Sequence, residues 1–169
     1  MHRDNGRKIF FNNVLLFLIS IHASAQCWQS ISSSTLSFHN VGIQTDGTLW
    51  TWGNNADGQL GDGTTTNRTL PTQVGTDTDW VYVVAGNNAT YAIKQNGTLW
   101  AWGGNDKGQL SDGTTTPRLL PAQVLPGTTW NKIYSGHGFI VAQKTDGTLW
   151  SCGQGSFLGF NDSTERHSL

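Results

Sequence analysis

Histidine and cysteine are too scarce in this chain of 169 residues to suggest a metal centre. There are five histidines and two cysteines. No His-x-x-His or His-Glu pairing occurs, so a zinc site is not expected. Charge is also sparse, at 12% of residues with a net value of −1. Three basic residues and one acidic residue fall in positions 1–25, leaving seven basic against ten acidic in the remainder. That remainder has no basic patch, so neither nucleic acid nor an anionic membrane is an expected partner. The apolar run Val14–Ile21 is far short of the ~20 residues a membrane-crossing helix needs, so no membrane span is expected. There is no Gly-x-Ser-x-Gly elbow and no recurring Ser–His–Asp order. No catalytic residue can be nominated, no cofactor is expected, and the chain reads as a non-enzyme.

Glycine and tryptophan are plentiful, with 21 and eight copies. They fall in a repeat. Asp46-Gly-Thr-Leu-Trp-Thr-Trp-Gly53 returns as Asn96-Gly-Thr-Leu-Trp-Ala-Trp-Gly103 and as Asp146-Gly-Thr-Leu-Trp-Ser-Cys-Gly153, which places tryptophans at 50, 100 and 150. A fixed period of this length marks a fold built by stacking one unit. Asp-Gly and Asn-Gly between apolar runs signal hairpins with type I′ turns. That turn would pair Ile43 with Trp50 and Val41 with Trp52 on a bulky face, and Gly42 with Thr51 on a trimmed one. The tryptophan face of one unit is then expected to press on the trimmed face of the next.

The rest of the unit follows. Trp80–Val84 is β-branched and aromatic, hence a strand. A glycine-rich loop follows each hairpin (Asn54–Thr64, Gly104–Thr114). Pro71 and Pro121 then open short outer strands, where the missing N–H is tolerated. Each unit has about four strands, the composition of a propeller blade. The expected units are about 28–79, 80–129 and 130–169, the last truncated: two complete blades and a partial one. Residues 1–25 read as a secretory signal, with a basic start, an apolar run and Ala23-Ser24-Ala25 before the cut. The mature chain would span 26–169 and be secreted, periplasmic or at the cell surface.

The assembled motif, Asp-Gly-Thr-Leu-Trp-x-Trp-Gly, then Gly-Gln-Leu-Gly-Asp-Gly-Thr, then Pro-x-x-Val, resembles the repeat of the regulator of chromosome condensation family over residues 28–169. The chain looks like a secreted, bacterial-type member. The resemblance implies an all-β, seven-bladed β-propeller, of which this chain would supply the amino-terminal part. The family often places a histidine before the hairpin. Here His39 holds that place, with Ala89 and Phe139 at its equivalents. The nucleotide-exchange activity of the eukaryotic namesake is not carried over, because no insertion outside the repeat could serve it.

Fold does not fix function. The expected role is a secreted protein-binding repeat module with a protein partner of unknown identity. A carbohydrate-active or inhibitor-type extracellular protein, or a purely structural surface repeat, are the alternatives. Recognition is expected in loops that differ between repeats, which nominates Asn54, Asn55, Asp57, Asn87, Asn88, Asn105, Asp106 and His137. The loop aspartates are expected to cap turns rather than bind calcium. Cys152, standing where the first two repeats have tryptophan, is expected to be a small core residue. End units bury only one face, so self-association or further blades are expected.

Overall fold

Each hairpin turns through three residues. Gln44 N–H bonds Thr48 O at 3.0 Å, and Gly47 N–H bonds back to Gln44 O at 2.9 Å. Gly47 sits at φ 80°, the left-handed position that ends a three-residue hairpin loop. Asp46 stabilises this form by accepting Thr48 N–H and Thr48 O–H at 3.0 and 2.7 Å. The extra residue corrects the expected register by one: Ile43 faces Leu49, Gly42 faces Trp50 and Val41 faces Thr51. A one-residue slip moves a strand's side chains to the other face. Tryptophans and aliphatics therefore lie on opposite faces of the sheet, not together.

The computed structural model describes residues 27–36 and 38–155. The segment 1–25 expected to be a secretory signal lies outside them, as does the end of the third unit. The first blade is the antiparallel sheet β1 (Trp28–Ser33), β2 (His39–Gln44), β3 (Leu49–Gly53) and β4 (Arg68–Gln73). The second is β5 (Trp80–Ala85), β6 (Ala89–Lys94), β7 (Leu99–Gly103) and β8 (Arg118–Val124). The third has three strands among the described residues: β9 (Trp130–Ser135), β10 (Phe139–Lys144) and β11 (Leu149–Gly153). Pro71 and Pro121 lie within the outer strands β4 and β8, as an edge allows. The opening strands of the blades touch in turn, β1 against β5 and β5 against β9.

Two seams join the blades. In the first, Val41, Ile43, Leu49 and Val74 pack on Trp80, Val83, Ala92 and Trp102. In the second, Tyr91, Ile93, Leu99 and Ala101 pack on Trp130, Ile133, Ala142 and Cys152. The tryptophan face thus meets an aliphatic face rather than a trimmed one. Close approach is provided by small residues opposite tryptophans, as where Trp28 lies over Gly42 with no room for a Cβ.

The seams differ by a concerted exchange. Seam one combines Val41, Gly61 and Trp102; seam two combines Tyr91, Ser111 and Cys152. A Cβ on Gly61 would stand 2.6 Å from Trp102 Nε1. Where Cys152 replaces that indole, Ser111 takes the glycine's place, even at φ 60°. Tyr91 supplies volume where the tryptophan is absent. Cys152 is buried and unbridged, and its thiol donates to Gly108 O.

Loop carbonyls take part in both seams. Gln59 O accepts Trp102 Nε1–H at 3.0 Å and Thr90 O–H at 2.7 Å. Gln109 O accepts Tyr91 O–H of its own blade at 3.1 Å, beside the Cys152 thiol that crosses the second seam to Gly108 O. Because the Thr90 proton goes to Gln59, His39 Nε2, 2.9 Å from Thr90 Oγ1, must be the donor in that pair. The imidazole is buried, and burial pulls its pKa from the usual 6.5 down to about 4.

Two outcomes are expected. Gly61→Ser should destabilise the chain by about 1–3 kcal/mol through overpacking on Trp102. The reverse exchange, Ser111→Gly, should change stability by less than about 1 kcal/mol; urea denaturation of both variants reads the difference. His39 is protonated more readily unfolded than folded, so its contribution is complete above pH 6.5 and is lost as pH falls toward 4. The loss should total roughly 3 kcal/mol. A falling Tm across that window, flattened in His39→Ala, is the expected measurement.

Candidate functional site

All eight nominated residues fall at one end of the blades. The β1–β2, β5–β6 and β9–β10 connections lie there, together with the glycine-rich loops. Main-chain bonds tie the two sets: Asn54 N–H to Phe38 O at 3.0 Å, Gly104 N–H to Asn88 O at 2.7 Å, and Gln154 N–H to Gly138 O at 2.8 Å.

The eight divide by role. Asn55 and Asn105 are fully buried. The Asn55 side-chain amide donates to Asp62 Oδ1, Thr64 O and Thr66 O at 3.0–3.1 Å, and its carbonyl accepts Leu60 N–H at 2.9 Å. Asn105 repeats the pattern with Asp112, Thr114 O, Thr116 O and Leu110 N–H. These two asparagines are internal staples of their loops and present no polar atom to a partner. The available signal was identity, since the same asparagine stands in both loops where a variable recognition position would differ.

Asp62 and Asp112 act as the expected caps. Each accepts the N–H and O–H of the threonine two residues on. Each also pairs with an arginine, Arg68 or Arg118, at 2.6 Å. Burial works to raise both carboxyls. The threonine and arginine bonds outweigh it and hold them below the ordinary carboxylate value. These loops are therefore rigid platforms.

The remaining six are accessible to different degrees. Asp57, Asp106 and His137 are exposed, and Asn54, Asn87 and Asn88 are half-buried. Asn88 is partly committed, its Oδ1 accepting Gln109 Nε2–H at 3.1 Å. Asn54 Oδ1 accepts Ala56 N–H at 3.2 Å. Asp57 and Asp106 do not form the expected caps; the local N–H bonds go to glutamine side chains, Asp57 N–H to Gln59 Oε1 and Lys107 N–H to Gln109 Oε1. Asp57 in one loop is matched by Lys107 in the next, so equivalent positions carry opposite charge.

Asn87 and His137 line a shallow cavity of about 200 Å³ together with Ser33, Ser34, Leu36 and Ser135. Two apolar neighbours were not foreseen. Leu36 is 60% exposed and Phe38 75%. Phe38 has φ 54°, uncommon for a non-glycine residue. The available signal was length: the β1–β2 link is 34–38, two residues longer than its counterparts 86–88 and 136–138. This end thus offers polar, charged and apolar side chains on a stapled frame. Among the described residues no cluster of three or more His, Cys, Asp or Glu is placed to hold a metal.

A family model for the regulator of chromosome condensation (RCC1) repeat matches residues 46–93 and 96–143, and a second model of that repeat matches 30–59 and 80–109. Among solved structures, human WBSCR16 superposes with TM-score 0.72 at 18% identity, over 83% of this chain and 38% of that one. Yeast RCC1 (Prp20) bound to Kap60 gives 0.66 at 24%, over 78% and 30%. Prp20p from Saccharomyces cerevisiae, described with its binding properties to Gsp1p and histones, gives 0.66 at 22%, over 78% and 32%. The chain thus spans between 30% and 38% of these structures' length. A sequence search among curated proteins found no match. The period, the three stacked sheets and the matched repeats agree: the chain belongs to the regulator of chromosome condensation repeat family and folds as part of its β-propeller.

Proposed function

We propose that this chain is an exported, non-enzymatic module that recognises a protein with the loop end of its blades. One observation carries the reading: side chains that differ between repeats stand on loops whose internal bonds are the same. The Asn55 and Asn105 staples hold matching frames, while Asp57 against Lys107 and Asn87 against His137 vary upon them. Such separation of a fixed scaffold from variable surface residues suits recognition better than catalysis, which needs a few groups converging on one reacting atom. Exposed Phe38 beside a polar rim adds the apolar anchor that protein interfaces favour. Yeast Prp20 has been solved bound to Kap60, and that family example supports protein recognition as the mode. Export rests on the basic start, apolar run and Ala23-Ser24-Ala25 of the sequence.

Two measurements test this. Immobilised full-length chain, purified after export, should capture a discrete protein from the medium of its source cells. The combined variant Phe38→Ser, Asp57→Lys, His137→Ala should lose that protein while its Tm stays within about 2 °C, as surface changes do. Asn55→Ala should instead lower the Tm. Unchanged capture by the combined variant would remove the loop end as the reader. Amino-terminal sequencing of the exported chain should begin at Gln26; an exported chain still beginning at Met1 would contradict the cleavable signal.

A further inference from the structure

One cavity lies wholly between the first two blades, both of them four-stranded sheets. It holds about 240 Å³ and opens between β8 and the link from β4 to β5. Its lining includes Trp80, Trp100, Leu120, Pro121, Gly75 and Asp77. None of the nominated loop residues takes part in it. The next repeat shows how the space beside Gly75 is otherwise used. Gly75 has φ 64°, and a Cβ on it would meet nothing within 4 Å. Its counterpart is Leu125, which takes the same left-handed conformation at φ 53°, a costly one for a bulky residue. Leu125 packs on the core of the second seam. The first seam leaves open what the second fills with an isobutyl group.

Charge differs at the same place. Lys94 Nζ lies 4.7 and 4.8 Å from the ring centroids of Trp80 and Trp100. It pairs with Asp77 Oδ2 at 2.7 Å and with Asp79 Oδ1 at 3.0 Å. Lys144 repeats the ring contacts, 3.7 Å from Trp150 and 5.7 Å from Trp130. There, however, Gly127 and Thr129 stand at the counterparts of Asp77 and Asp79. The paired rings therefore hold a lysine without any carboxylate. Two carboxylates beside the single ammonium of Lys94 leave one negative charge in surplus. Asp77 lines the cavity, and its side chain is 53% exposed.

We propose that this cavity binds a small free amine, an ammonium on a short branched apolar stem. The stem takes the space that leucine fills in the second seam, between the tryptophans and Leu120. The ammonium lies against Asp77, where carboxylate and indole rings both attract a cation. The volume is below the roughly 300–1,000 Å³ of sites for drug-sized ligands, so the ligand is no larger than one side chain. This goes beyond protein recognition by the loops and uses a separate part of the blades.

The test titrates the full chain with 3-methylbutylamine and with neutral 3-methylbutan-1-ol, following the indole N–H signals by NMR. The amine should bind with a Kd on the order of 1 mM, and the alcohol about tenfold more weakly. Asp77→Asn should weaken the amine about tenfold and leave the alcohol unchanged; Lys94 keeps Asp79, so the fold should persist. Gly75→Leu supplies the leucine of the second seam and should abolish binding of both. Leu120→Arg changes a residue that is 60% exposed, so it should fold as the parent does. It adds positive charge to the lining and should weaken the amine about tenfold. Equal binding of amine and alcohol would overturn the proposal. So would parent-like amine binding by folded Gly75→Leu or Leu120→Arg, or no shift at ten times the expected Kd. Tighter binding of N-acetyl-lysine methylamide than of the free amine would overturn the assignment to a free amine and give the site to a partner's side chain. The loop-end variants should bind the amine as the parent does, so this result and the capture result stand or fall separately.

Discussion

Main-chain carbonyls of the glycine-rich loops, Gln59 O and Gly108 O, are where directed bonds reach from one blade to the next. Apolar packing gives most of the driving force at a seam, at about 25 cal/mol per Å² buried, but it does not fix direction. A buried carbonyl left without a donor costs free energy comparable to a lost hydrogen bond. Each loop therefore needs a donor from the blade faces packed around it. Trp102 and Thr90 provide it at one seam; at the other the Cys152 thiol reaches Gly108 O, while Tyr91 of the loop's own blade serves Gln109 O. The loop must hold its shape for this to work. The Asn55 and Asn105 staples and the arginine pairs of Asp62 and Asp112 provide that rigidity. The outward side chains inherit it, so the same bonds that fasten blade to blade also hold the candidate recognition surface.

The repeat, the number of strands in a blade and the edge position of the prolines were legible in the sequence, because each follows from a local rule. Register was not. Asp-Gly suits either a two-residue or a three-residue turn, and the choice lies in Thr48, whose N–H and hydroxyl both reach Asp46. The single residue gained there puts Gly42 in place of Ile43 beside Trp50 and sets Ile43 beside Leu49. The stacking of tryptophan faces survives, but against aliphatics. One turn residue thus decides the orientation of a whole strand.

The candidate site was legible as a region and less so residue by residue. Difference between repeats locates the correct end of the molecule, because loops there vary while strands do not. Taken loop by loop it does not separate Asn105, which is buried, from Asp106, which is exposed; compared position by position it does, since Asn55 matches Asn105 while Ala56 stands opposite Asp106. That distinction depends on Asn105 reaching three partners as far as 11 positions along the chain. Phe38 escaped notice for the opposite reason. It belongs to the irregular stretch of the first repeat, where no neighbouring unit supplies a pattern for comparison.

The exchange of Val41, Gly61 and Trp102 for Tyr91, Ser111 and Cys152 bears on how such a chain can change over generations. A blade copied and inserted elsewhere would carry only half of each seam. It would meet a neighbour whose volume and donor belong to the other set. Duplication of whole units is therefore admissible only with matching substitutions next door, so that seams descend as pairs spanning two blades. The exposed loop positions are under no such pairing, and a new surface can arise on them one substitution at a time.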